Sequence, residues 1–239
     1  SFPTRRSSDL GLIKAAEKDI RKYESEISRT KEKLMKDEAA LATLKNITER
    51  YEGYGNTIKA VMKLKDSNKG IHGVVADIIR TEKEYELAIE TALGGNIQNI
   101  VTDTENTAKE VIEYLKKNQL GRATFLPIKS VSGRGEFRNT EVLDEEGAIG
   151  LASALVNVED KYKGVASFLL GRIVVIDNID HALKIARKYQ FSQILVTLEG
   201  ELLNRGGSLT GGAYKNKSNL LGRRREMEEL EKSIASSDK

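Results

Sequence analysis

Reactive side chains are few in this sequence, and their spacing limits the chemistry open to it. There are two histidines and no cysteine, which excludes disulfides, thiolate metal sites and cysteine nucleophiles. His72 and His181 lie in unrelated segments, without the H-E-x-x-H spacing that seats a metal on one helix face. Ser153 ends the stretch GLAS, which lacks the G-x-S-x-G elbow that would present a serine nucleophile. No G-x-x-x-x-G-K-[ST] phosphate loop is present, and Gly133-Arg134-Gly135 lacks the third glycine of a dinucleotide fingerprint. Asp103 and Asp177 each close an apolar, strand-like segment. A carboxylate there serves either a site at the strand end or the capping of the helix that follows. No acid, base and nucleophile come together, so no catalytic residue, cofactor or metal is expected.

The residues best suited to a function are glycines and cations. In Asn204–Lys217 (NRGGSLTGGAYKNK), Gly206-Gly207 and Gly211-Gly212 bracket Ser208, Leu209 and Thr210. Paired glycines either form turns or let a second backbone approach where no Cβ stands in the way. A strand between them is suited to main-chain pairing with another chain. From Ala213 to Arg225 there are five cations, Lys215, Lys217, Arg223, Arg224 and Arg225, and no acid. Lys59, Lys63, Lys65 and Lys69 form a second cluster, opposed only by Asp66. Such clusters either bind phosphates without reading sequence or solubilise a surface.

Two helical arms must carry these residues. Ile13, Ile20, Ile27, Leu34 and Leu41 recur every seven residues, with Ala16, Tyr23, Leu44 and Tyr51 in a weaker column interrupted by Thr30 and Asp37. A sustained heptad keeps one seam facing a partner helix. Forty residues of helix reach roughly 60 Å. Leu220, Met227 and Ile234 continue the same period near the C-terminus, with Leu230 in the second column and Gly222 as an early interruption. The expected geometry is an antiparallel coiled coil leaving a globular body. Within that body strands and helices alternate. Ile100–Asp103, a helix over 104–118 and a strand over 122–128 are echoed by Val174–Asp177, a helix over 181–189 and a strand over 193–198. This recurrence implies two related lobes.

The resulting division is a disordered or foreign leader (1–10), an N-terminal arm (11–52), a first lobe (53–129), a linker (130–150), a second lobe (151–217) and a C-terminal arm (218–239). The chain has 239 residues, 39 basic and 36 acidic, for a net charge of +3. That balance is too small for a histone-like polyanion binder, so any nucleic-acid role must come from local clustering. No apolar run is long enough to span a bilayer, and a soluble intracellular protein is expected.

Several segments together resemble one family, the hinge of structural maintenance of chromosomes (SMC) proteins of the bacterial homodimeric type. They are Gly70–Asp77 (GIHGVVAD), Ala88–Gly94 (AIETALG), Gly121–Pro127 (GRATFLP) and Val196–Gly212 (VTLEGELLNRGGSLTGG). The resemblance covers about Tyr51 to Arg225, and Arg205 stands where many relatives carry proline. It implies an α+β fold: a two-lobed, SMC-hinge-like domain flanked by an antiparallel coiled coil. It also implies a homodimer whose contact is formed by Gly206, Gly207, Ser208, Leu209, Thr210, Gly211 and Gly212. DNA contact would follow at Lys215 and Lys217, to which the basic run itself adds Arg223, Arg224 and Arg225. The parent would be a cytoplasmic, nucleoid-associated ATPase of chromosome condensation and segregation, with its heads and accessory subunits outside this region. The competing reading is a stand-alone, sequence-independent DNA-binding domain, single- or double-stranded, that oligomerises through its coils. A small-molecule enzyme or sensor using Asp103 and Asp177 is a third.

Overall fold

The computed structural model describes residues 2–132, 136–213 and 219–237. The chain divides into two compact units, residues 1–47 with 226–239, and residues 48–225.

The first unit is made by two helices. The first, α1 (Phe2–Glu49), is 48 residues long, and the last, α8 (Leu220–Ser237), has 18. At 1.5 Å per residue these span about 72 and 27 Å. Between them the Ser233 hydroxyl donates to Asp37 at 2.6 Å, and Lys45 pairs with Glu231 at 3.6 Å. The seam positions Leu34, Leu41, Leu44, Leu230 and Ile234 are half-buried, whereas Ile13, Ile20, Tyr23 and Ile27 are more than half exposed. The heptad period therefore continues along α1 beyond the stretch that the shorter helix covers. Residues 2–10, expected to stand apart as a leader, belong to α1. Pro3 lies in its first turn, where the missing N–H has no intrahelical acceptor to lose.

The second unit holds two halves of like build. After α2 (Asn56–Met62) come β1 (Ile71–Val74), α3 (Val75–Ile78), β2 (Arg80–Thr81), α4 (Glu86–Leu93), β3 (Ile100–Thr102), α5 (Glu105–Lys117) and β4 (Phe125–Pro127). The second half runs β5 (Ala148–Leu151), β6 (Val156–Asn157), α6 (Lys163–Leu170), β7 (Ile173–Ile176), α7 (Ile179–Lys188) and β8 (Ile194–Thr197), then adds β9 (Leu202–Leu203) and β10 (Leu209–Thr210). In each half the first strand lies antiparallel to the central one with a register shift, between Ile71 and Gly73 or between Ala148 and Gly150. A helical crossover then returns a parallel strand, β3 to β4 and β7 to β8. The counterpart strands β2 and β6 pair with each other, Arg80 opposite Asn157 and Thr81 opposite Val156. The strand-helix-strand part of this is the recurrence expected from the sequence, but the second half opens with β5 at Ala148, inside the stretch 130–150 expected as a linker, and the two halves meet through equivalent strands.

The crossover helices begin alike. The Thr104 hydroxyl accepts from the Thr107 N–H at 3.3 Å, and the Asn178 amide oxygen accepts from the His181 N–H at 3.0 Å. The caps are thus the residues after Asp103 and Asp177. Each aspartate supports its cap instead: Asp103 accepts from the Thr104 N–H at 2.6 Å and the Thr107 hydroxyl at 2.5 Å, and Asp177 lies 2.7 Å from His181 Nδ1. One apolar core, including Val61, Val74, Ile89, Ile100, Leu170 and Val175, spans both halves, and a second lies beneath α7 around Val174, Ile185 and Leu195. Burying each such side chain contributes about 1.5–3 kcal/mol. The two halves therefore share a core.

Candidate dimer interface and basic junction

The glycine-rich segment forms the outer edge of the five-stranded sheet, whose order is β10-β9-β8-β7-β5. β8 and β9 are joined by a tight turn, in which the Thr197 N–H donates to the Glu201 carbonyl at 2.9 Å and the Gly200 N–H to Thr197 at 3.0 Å. β9 then turns back into β10, with Leu209 opposite Leu203 and Thr210 opposite Leu202. The turn is closed by the Asn204 N–H on the Ser208 carbonyl at 2.9 Å and the Gly207 N–H on Asn204 at 3.1 Å. Gly206 and Gly207 adopt φ of +84° and +95°, in the region where a Cβ is costly. The first glycine pair therefore has a local duty, shaping the hairpin.

Residues 206–212 are all exposed, and Leu209 presents 52% of its surface. A Cβ placed at Gly206 or Gly212 would have no neighbour within 4 Å, whereas one at Gly211 would come 3.1 Å from Glu201 Cγ. The segment thus offers backbone on its outer side. Among the described residues β10 has a pairing partner only along β9, and a strand edge of this kind is a template for another chain. A second edge, unmarked by any sequence pattern, lies in the first half. β8 is covered by β9, but its counterpart β4 ends the sheet β1-β3-β4.

Lys215 and Lys217 lie outside the described residues. Arg223, Arg224 and Arg225 begin α8 and are bonded into the body. Arg223 donates to the Glu52 carbonyl at 2.6 Å, Arg224 to the Asp77 carbonyl, and Arg225 to the Glu86 carboxylate. Asn219 caps this helix, accepting from the Gly222 N–H at 2.8 Å and donating to Glu86 at 3.1 Å. A Cβ at Gly222 would stand 2.0 Å from the Asn219 amide. The glycine that looked like an interruption is what lets the cap close, and the helix starts at Leu220 rather than near 223. Burial raises the Glu90 carboxyl above its ordinary value, although the Leu221 N–H donates to it at 3.2 Å. Burial likewise pushes the Tyr51 phenol up to about 12 and the Tyr54 phenol higher still. Glu86 and Glu90, four apart on α4, where Thr91 is the one other polar residue, are the sequence signal for these acceptors.

Of the other lysine cluster, Lys63 and Lys69 are exposed, while Lys59 and Lys65 are half-buried. Lys65 and Arg224 line one cleft, so the two basic segments converge there. His72 and His181 do not meet. His72 Nδ1 is 2.7 Å from the Tyr162 hydroxyl, and burial, with Lys161 nearby, holds its imidazole below the ordinary value. His181 lies between Asp177 at 2.7 Å and Glu146 at 3.8 Å. Among the described residues no group of three or more potential ligands is placed to hold a metal, and no helix is long and apolar enough to cross a membrane.

Comparison with known proteins agrees with this architecture. The family model "SMC proteins Flexible Hinge Domain" matches residues 68–186. The chain is 41% identical over 209 residues to the chromosome partition protein Smc of Halothermothrix orenii, covering 87% of this chain and 18% of that protein. It is 42% identical over 188 residues to the Smc of Bacillus subtilis, covering 77% and 16%. The chain therefore spans under a fifth of the length of these relatives. Among solved structures, an asymmetric dimer of the Geobacillus stearothermophilus SMC hinge domain matches with a TM-score of 0.86 and 34% identity, over 95% of this chain and 92% of that one. With its paired lobes, coiled-coil arms and glycine-bordered edge strand, the chain belongs to the SMC hinge domain family.

Proposed function

We propose that this chain is the dimerisation hinge of a chromosome-partition ATPase, joining two coiled-coil arms by self-association. The segment Gly206–Gly212 carries the contact. In this reading β10 of one copy lies along the β4 edge of a second, and β10 of the second along β4 of the first. Such a contact is two-fold and closed, as most homodimers are. The observation that carries it is the exposed β10 edge, bordered by glycines that leave its backbone approachable. The likeness to a hinge solved as a dimer supports it as well.

DNA contact belongs to the same proposal. Lys215 and Lys217 supply sequence-independent phosphate contacts, while Arg223, Arg224 and Arg225, in the same basic run, act mainly by anchoring the start of α8. ATP hydrolysis would reside in heads beyond this region, and accessory subunits would bind the parent protein there, at the nucleoid. The competing reading, a DNA-binding domain that oligomerises only through its coils, leaves the β10 edge without a role.

Sedimentation velocity tests the reading. The wild-type chain is expected to sediment as a dimer at micromolar concentration, and Leu209→Lys as a folded monomer with an unchanged circular-dichroism spectrum. A wild-type monomer, or a Leu209→Lys dimer of undiminished affinity, would overturn it.

A further inference from the structure

A polar cleft of about 390 Å³ opens where the two halves of the body meet beside the β2–β6 ribbon. Ligand pockets generally measure about 300–1,000 Å³, so this one suits a small molecule rather than a polymer. Its cations come from three separate elements: Lys65 follows α2, Arg80 lies on β2, and Arg224 on the first turns of α8. His72 from the first half and Tyr162 from the second form one wall, joined by the 2.7 Å bond and packed edge to face.

The acids facing the cleft are Asp77 and Glu159. Glu159 pairs with Lys161 at 3.3 Å, and Lys161 also lies 5.0 Å from the centre of the Tyr162 ring. Asp77 accepts from the Val74 N–H at 3.2 Å, and its carbonyl accepts from Arg224. Asn157, opposite Arg80 in the ribbon, adds a neutral amide donor. The lining therefore carries more positive than negative charge, with its donors arriving from different directions. Planar carboxylates are met by one fork of donors. A tetrahedral oxyanion takes donors from several sides, and guanidinium groups suit it well.

We propose that this cleft is a binding site for a small phosphate-bearing ligand, held by Lys65 and Arg80, with Arg224, bonded to the Asp77 carbonyl, beside them. All three residues come from one chain, so the site stands whether or not the dimer reading does. Because Lys161 covers a face of Tyr162, the proposal concerns the phosphate end of the ligand.

The test is calorimetric titration of the intact chain with inorganic pyrophosphate at low salt, alongside citrate as a carboxylate of comparable charge. One pyrophosphate per chain is expected, bound more tightly than citrate. The double variant Lys65→Gln/Arg80→Gln should weaken it at least about tenfold, the scale of one lost charged hydrogen bond. Lys184→Gln, an exposed lysine on α7, should leave it within about twofold by the same scale. Both variants alter exposed or half-exposed positions, and their melting temperatures verify folding. The proposal is overturned by no saturable binding below about 10 mM. It is overturned equally if the double variant binds as the wild type does, if citrate binds more tightly, or if stoichiometric duplex DNA displaces the pyrophosphate.

Discussion

Arg225, on the first turns of α8, pairs with Glu86, at the start of α4, across 139 residues of sequence, with only 18% and 7% of their side chains exposed. Glu86 also accepts from Asn219, so one carboxylate ties the cap and the second turn of the helix to the first half of the body. Removing one partner of a buried pair strands the other charge. Arg225→Ala is expected to lower stability by roughly 3 kcal/mol, with Glu86→Leu/Arg225→Met losing less than Arg225→Ala alone. Urea denaturation of the wild type and these two variants measures this, and a double variant that loses as much as Arg225→Ala or more would show that no stranded charge is relieved.

Asn219→Ala removes the helix cap along with its bond to Glu86. Loss of an N-cap costs about 1 kcal/mol, and the second bond should bring the total to about 2 kcal/mol. Thermal melts compared with Asn178→Ala, which loses the α7 cap, should show the larger fall for Asn219→Ala.

Alanine at Gly206 or Gly207 is forced into left-handed backbone, at a cost of about 1–2 kcal/mol each. Those variants should therefore unfold more readily whatever they do to self-association. Leu209→Lys, at an exposed position, should leave the stability of the single protomer, measured below the dissociation constant, within about 0.5 kcal/mol. A dimer loss seen only with the glycine variants would report a damaged turn rather than a blocked edge, which is why the lysine variant is the decisive one.

Acid should weaken the fold through His72. Its imidazole is depressed below 6.5, mainly by burial, so the unfolded chain takes up the proton first as pH falls. The stability contributed by the neutral ring is complete above 6.5 and declines as pH drops through 6.5 to the lower folded value. His72→Gln should flatten this part of the stability profile. Denaturation at half-unit steps from pH 7.5 to 5 would show it, and an unchanged slope would refute the assignment.

If Lys215 and Lys217 meet phosphates, changing both to alanine should lower the slope of log affinity against log salt by about 1–2. Arg225→Ala should show itself first in stability and only weakly in that slope. Equal slope losses for the two variants would place Arg225 at the DNA as well.

The heptad arms, the alternating body and its recurrence were legible in the sequence because they depend on period and local propensity. Ile13 to Leu41 marks a seam wherever the partner lies, whereas the caps of α5 and α7 fall at Thr104 and Asn178, one residue past the aspartates expected to make them. The kinship of Gly70–Asp77 and Val196–Gly212 with the hinge family was legible for the same reason, being written in local backbone requirements. The role of Arg223–Arg225 was not. A run of cations reads the same whether it faces water, phosphate or buried acceptors, and only folding brought Glu52, Asp77 and Glu86 to it from more than 130 positions away. Likewise, nothing in Phe125–Pro127 marks it as an open edge. That follows from the absence, in the first half, of the two strands that extend the second. Periodicity is a property of neighbours along the chain, whereas edges, clefts and buried ion pairs are properties of neighbours in space, and the tertiary structure alone decides those.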